Sequence, residues 1–347
     1  MLAAVVALSG AGKPSQLLPE SRATLLAAAQ AQQAPELVGV TNYDNTPPVT
    51  LAGLRGKVVL VDFWTYTCIN CLRTFPFLRA LQKAYSSSGL VVLGVHSPEF
   101  DFETSHANVA KAVQRLGVTW PVAEDPEMAT WSAFGNQYWP ANYLLDRSGK
   151  VRFFHAGEGD ETTIEDAVRT LLAEGGTAPA ARIGELPAAE KPAGAGSDLT
   201  PETYFGAQRG GRYVSGGRTV SPGVVQTRTD PAQARDLLQL TGRFRGESEA
   251  LEVLAGASVT QRFRARDVYL TATPRKEPVV VEVTLDGQPV PVGRRGRSLV
   301  EEGGRTVVHV TADDLYSLIT GPAIDEGVLR ITARTDALRV FTATYGA

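Results

Sequence analysis

The sequence predicts an α/β domain followed by an all-β sandwich. An apolar run, Val58 to Trp64, meets an amphipathic run, Leu72 to Tyr85, through Cys68-Ile69-Asn70-Cys71. That is the order of a buried strand, a turn and a helix. A stretch from Gly175 to Asp198, rich in Ala, Pro and Gly, carries no hydrophobic period and reads as a linker. Beyond it, Val281, Val283 and Leu285 alternate with Glu282, Thr284 and Asp286, the period of a half-buried strand.

The 347 residues suffice for two domains with sizeable cores. Composition is ordinary globular, 43% hydrophobic and 20% charged, and a net charge of −3 argues against a general nucleic-acid or membrane-surface role. The 2 cysteines share one motif, so no disulfide scaffold exists. This suits a cytosolic protein, or an exported one that keeps stray thiols out of a redox compartment.

Taken in order, Leu2 to Leu8 is apolar but far short of the roughly 20 residues that span a bilayer. No basic region precedes it, as a secretory signal would require. Three readings fit: a clipped signal, the tail of a transmembrane helix, or a disordered terminus. Residues 1–34 are thus set apart as an N-terminal segment or linker, with Ser15 to Gln33 a loose helix or linker. The α/β domain occupies residues 35–174. Glu36 to Val40 and Val49 to Leu51 are expected as strands around the polar turn Asn42 to Pro48. Lys57 to Trp64 and Leu90 to Val95 are continuous apolar runs, suited to strands covered on both faces. Thr104 to Leu116 repeats helically, with Gly117 as its stop, and Asp125-Pro126 opens a short helix ending at Gly135. Tyr143 to Asp146 and Val151 to Phe154 flank Arg147-Ser148-Gly149 as a hairpin. Ile164, Val168, Leu171 and Leu172 mark a closing helix.

The chemistry resides in the cysteine pair. A thiol at a helix N-terminus meets unpaired N–H groups and the positive end of the dipole, so Cys68 is expected to be acidic and nucleophilic. Cys71, one turn on, can attack any mixed disulfide that Cys68 forms. A structural zinc site needs four ligands, and His96, His106, His155 and His309 never fall at the required spacing. A purely structural disulfide is disfavoured because so small a loop constrains little of the unfolded chain. Asp62, inside the apolar strand, must be protonated or hydrogen-bonded there unless it turns to solvent, and its pKa should rise. Arg73 reads as solvated helix surface.

Val61-Asp62-Phe63-Trp64, followed after three residues by Cys68-x-x-Cys71 and then Pro76, resembles the thioredoxin signature. Leu54-Arg55-Gly56-Lys57-Val58-Val59 is similar to the TlpA/ResA branch. The string from Trp64 to Arg73 most resembles the extracytoplasmic part of DipZ proteins, which join a CcdA-like membrane electron carrier, a thioredoxin-like domain and a β-sandwich. The resemblance covers nearly the whole chain and implies an α/β thioredoxin-like domain followed by an all-β jelly-roll sandwich. For residues 1–34 it favours the transmembrane tail. It implies that Asp62 takes and returns the Cys71 proton, that Pro140 is the family's cis-proline beside the thiols, and that Glu99 is an acidic residue near them. Trp64, Ile69, Asn70 and Trp139 are the candidate substrate contacts, with core packing equally open for Trp139.

Residues 175–199 form the linker and residues 200–347 the sandwich, which looks like a carbohydrate-binding module. Asp286-Gly287 signals a hairpin, and alternation recurs over Phe263 to Ala272, Leu329 to Ala333 and Phe341 to Tyr345. Tyr204, Tyr213 and Tyr316 could stack on sugars, although strand aromatics are more often core. The expected function is extracytoplasmic thiol-disulfide exchange by a membrane-tethered or secreted protein, reducing protein disulfides with electrons from a CcdA-like donor. No cofactor or metal is expected, since the dithiol itself carries two electrons. Two alternatives compete. One is a peroxidase, because Thr65-Tyr66-Thr67-Cys68 resembles the Thr-x-x-Cys of peroxiredoxins; the other is an envelope module whose sandwich binds a glycan or a protein.

Overall fold

The computed structural model describes residues 25–176, 181–184, 198–209, 220–229 and 235–346. The expectations for residues 1–24, for most of the linker and for Tyr213 lie outside these. The described residues belong to two compact units. The first contains the chain up to Trp64, Phe77–Pro98 and the described part of Gly117–Glu185. The second contains Thr65–Pro76, Glu99–Leu116 and the described part of Leu186–Ala347. The segment with the cysteine motif and Glu99–Leu116 thus fall in the second unit.

The α/β region runs β1 (Gln32–Gln33), β2 (Asn42–Asp44), β3 (Val58–Trp64), α1 (Ile69–Tyr85), β4 (Leu90–His96), α2 (His106–Arg115), β5 (Val122–Glu124), α3 (Ala129–Ala133), β6 (Ala141–Leu145), β7 (Lys150–Ala156) and α4 (Glu161–Glu174). Its seven strands form one sheet in the order β1-β7-β6-β3-β4-β5-β2. The pairs β3–β4 and β4–β5 are parallel and the others antiparallel. All seven residues of β3 are buried, as a central strand covered on both faces requires. Phe63 meets Trp131, Phe134 and Tyr143 edge-on, with centroids 5.8, 5.3 and 5.6 Å away. Gly94, paired with Asp62 across the sheet, makes room for two indoles: a Cβ there would stand 2.9 Å from Trp64 Nε1 and 3.2 Å from Trp120 Nε1.

Local chemistry sets the turns. Asp146 Oδ1 accepts the N–H groups of Ser148 and Lys150 at 2.9 and 3.0 Å, and Gly149 takes φ +75°, closing the β6–β7 hairpin. Two expectations need correction. No strand forms at Glu36 to Val40 or Val49 to Leu51, because Glu36 accepts the N–H groups of Leu51 and Ala52 at 2.6 and 2.9 Å with its side chain. Instead Asn42–Asp44, expected as turn, adds to the sheet edge against β5, an element the sequence reading missed. The run Thr104 to Leu116 forms α2 as expected, after a 3₁₀ turn at Asp101–Thr104. The helix expected from Asp125-Pro126 starts only at Ala129, since Asp125 serves as its acceptor, taking the N–H groups of Thr130 and Trp131 at 3.0 and 2.8 Å.

The all-β region is one antiparallel, sandwich-like array. Val279–Leu285 buries Val279, Val281, Val283 and Leu285 and leaves the alternate residues half-buried, as the sequence pattern predicts. Asp286 and Gly287 take φ +53° and +76°, the conformation a two-residue hairpin turn demands. The expected strand Phe263 to Ala272 is two strands, Ser258–Ala265 and Asp267–Pro274, broken at Arg266. The first pairs with Asp325–Ala333 and the second with Leu338–Gly346, so the chain must change partners between them.

Candidate active site

Cys68 stands at the N-cap of α1. Its carbonyl accepts the first helical hydrogen bond, from Leu72 at 3.1 Å, and its sulfur accepts the Cys71 N–H at 3.3 Å. Cys68 is half-buried and Cys71 is buried. The helix terminus is thus as expected, but the acidity is not. Burial pushes the Cys68 thiol up, the Cys71 hydrogen bonds offset only part of this, and the negative charges of Glu99 and Glu202 push further. Desolvation and two nearby carboxylates outweigh the helix end.

One carboxylate that sequence reasoning missed organises the approach to Cys68. Glu103, buried to 1% exposure, accepts Thr67 through both its backbone N–H, at 3.2 Å, and its hydroxyl, at 2.6 Å. Its other oxygen accepts the N–H groups of Glu99 and Phe100 at 2.7 and 3.1 Å. Burial pushes Glu103 up to about 7, against the pull of the Thr65 and Thr67 hydroxyls. Glu103 lies five residues after Pro98 in a polar stretch whose sequence gives no sign of burial.

Glu99 is present, though in other company than expected. Its carboxylate accepts Tyr204 OH at 2.8 Å and pairs with Arg209, whose guanidinium lies 4.6 Å from the centroid of the Tyr204 ring. Phe100, Phe102 and Phe341 pack beside it, with centroids 5.7, 5.0 and 4.9 Å apart. Arg73, expected in solvent, is half-buried, 5.6 Å from the Tyr269 ring centroid.

In the first unit, Asp62 is fully buried and accepts Asn142 Nδ2 at 2.8 Å. Burial pushes it up to about 7, the rise anticipated for a carboxyl in an apolar strand. The Trp139–Pro140 peptide is cis. Trp139 is half-buried, donates Nε1–H to the Ser97 carbonyl at 2.9 Å and lies against Trp131, with centroids 4.1 Å apart. Trp64 is fully buried, edge-on to His96, so the expectation that it touches substrate is corrected: the core takes its whole surface. Ile69 is also buried, while Asn70 is half-exposed. Tyr316 is core too, its hydroxyl donating to the Ala312 carbonyl at 2.8 Å, which removes it as a sugar platform.

Two family models match the chain: Redoxin over residues 29–171, and the thioredoxin-like C-terminal domain over residues 200–346. The thiol-disulfide oxidoreductase YkuV of Bacillus subtilis is 31% identical over 144 residues, 41% of this chain and 96% of that protein. The chain belongs to the thioredoxin-like thiol-disulfide oxidoreductases. The chain is also 36% identical to the protein DipZ of Mycobacterium bovis over 318 residues, 90% of this chain. It spans 43% of that relative's length. A thiol:disulfide interchange protein DsbE from Chlorobium tepidum, whose crystal structure is described as putative for that role, is 27% identical at a TM-score of 0.37, covering 41% of this chain and 96% of that one. An apolar strand leading into C-x-x-C was sufficient signal to place Cys68 and Cys71 at the start of α1. Glu103, Tyr204 and Arg209 carry no such signal, because their roles depend on contacts rather than on spacing.

Proposed function

We propose that the oxidoreductase reduces protein disulfides outside the cytoplasm with electrons from a CcdA-like membrane carrier. The reducing direction is supported by the surroundings of Cys68, a half-buried thiol that burial, Glu99 and Glu202 push up. A couple becomes a strong oxidant when its reduced form is stabilised, chiefly through a stable thiolate. Burial, Glu99 and Glu202 destabilise that thiolate, so the dithiol gives up its electrons readily.

In the reaction, the Cys68 thiol loses its proton and its sulfur attacks one sulfur of the substrate disulfide. The other substrate sulfur leaves as a thiolate and takes up a proton. Cys71 then attacks Cys68 Sγ, closing the Cys68–Cys71 disulfide and releasing the second substrate thiol. Two electrons pass to the substrate, and the membrane carrier restores the dithiol. The resemblance assigns the Cys71 proton to Asp62, a role consistent with a carboxyl pushed up to about 7. The resemblance gives Pro140 the family's groove-shaping role, and its peptide with Trp139 is cis. The extracytoplasmic location and the carrier rest on the resemblance to DipZ proteins; among the described residues no helix is long and apolar enough to cross a membrane.

Insulin-disulfide reduction tests the reading. Cys68→Ser abolishes it, and Cys71→Ser traps mixed disulfides visible on a non-reducing gel. Equilibration with glutathione should give a potential near thioredoxin's, about −270 mV, whereas one near that of DsbA, about −120 mV, would reverse the proposed direction.

A further inference from the structure

The all-β region contributes side chains to the surroundings of Cys68, and their arrangement has a chemical consequence. Thr67, immediately before Cys68, and Glu99 share one acceptor: Glu103 takes the Thr67 N–H and hydroxyl on one oxygen and the Glu99 N–H on the other. The backbone at residue 99 is thereby fixed a carboxylate's width from the cysteine motif. The Glu99 side chain, only 8% exposed, is then claimed by Tyr204 OH and by the Arg209 guanidinium. Tyr204 OH also faces Glu202 Oε2 at 3.3 Å, and Glu202 Oε1 accepts Thr344 and Thr342 hydroxyls at 2.9 and 3.3 Å. Glu249 accepts the Asp101 N–H at 3.0 Å and is within reach of the Arg209 charge.

We propose that Glu99, neutralised and held by Arg209 and Tyr204 of the all-β region, is a positioning residue that sets how readily Cys68 ionises. The charged groups concerned are Glu99 and Glu103 from the loop after β4, and Glu202, Arg209 and Glu249 from the all-β region. The Cys71 N–H opposes them from the motif itself. A bare Glu99 carboxylate repels a thiolate at Cys68; a paired one repels it less. The all-β region is then part of the redox device, since it supplies the cation that moderates this repulsion. The inference deepens the thiol-exchange reading and rests on it.

The test uses the full chain carrying Cys71→Ser, so that Cys68 is the one cysteine left of the 2. The rate of iodoacetamide alkylation is followed against pH, because only the thiolate reacts. E99Q should speed alkylation at pH 7 about threefold and R209Q should slow it about threefold, while R209K restores most of the rate. In the E99Q background, R209Q should add nothing further. A purely structural role would move both single variants the same way, and that outcome, or no change in either, overturns the proposal. So does an R209Q effect that persists without Glu99. Alkylation needs no protein substrate, so a null result here leaves insulin reduction, and the exchange reading, standing.

Discussion

Glu103 accepts both the backbone N–H and the hydroxyl of Thr67, at 3.2 and 2.6 Å, from a position 36 residues along the chain. A buried carboxylate thus fixes the residue before the nucleophile, and its second oxygen fixes Glu99 and Phe100.

Glu103→Gln keeps the shape but replaces one acceptor oxygen with a donor. Either the Thr67 N–H or the N–H groups of Glu99 and Phe100 then face an NH₂, a loss of about 1–4 kcal/mol. The urea midpoint should fall accordingly, and amide exchange should quicken at Thr67 or at Glu99 and Phe100, depending on which oxygen is replaced. Unchanged exchange at all three would contradict this account of the loop.

Asp62 gives a pH signature. Its folded pKa, about 7, lies above the ordinary 3.8, so the folded state holds the proton more tightly. That contribution is complete below pH 3.8 and is lost as pH rises towards 7, after which it is flat. Asp62→Asn should therefore remove a decline in stability between about pH 4 and 7, on the order of 4 kcal/mol. Subtracting variant from wild-type urea curves isolates this from His96, which burial holds down at about 3 and which acts in the opposite sense. Parallel curves for the two proteins would show that Asp62 is not the source.

Gly94→Ala should destabilise by about 1–3 kcal/mol, because its Cβ would press on the Trp64 and Trp120 indoles. Equilibrium unfolding followed by tryptophan fluorescence reads both the lost stability and the disturbed indoles. A neutral result would mean that the sheet relaxes freely at this point.

Asp125→Ala removes the acceptor for the Thr130 and Trp131 N–H groups and for the Ser97 hydroxyl. About 1–2 kcal/mol should be lost. Since α3 carries Trp131 against Trp139, the near-ultraviolet dichroism of that indole pair should weaken as well. If the dichroism stays intact, α3 is held by packing rather than by Asp125.

The elements legible in the sequence were those whose cause is local. The apolar run of β3, the C-x-x-C at the start of α1, the alternation of Val279–Leu285 and the Asp286-Gly287 turn each follow from periodicity or from the φ that a short turn requires. The expected strands around Asn42 to Pro48 failed because a side chain, Glu36, took the N–H groups that a strand partner would have used.

The amino-acid order alone determined that two thiols flank the first turn of a helix following a buried strand, and hence that the chemistry is thiol-disulfide exchange. Tertiary structure alone decided how acidic the first thiol is. The helix end, visible in the sequence, favours the thiolate, while burial, Glu99 and Glu202 oppose it and prevail. Glu202 lies more than a hundred residues from Cys68, and the free energy of an ion depends on the solvent and charges that folding brings around it, which no spacing along a chain records.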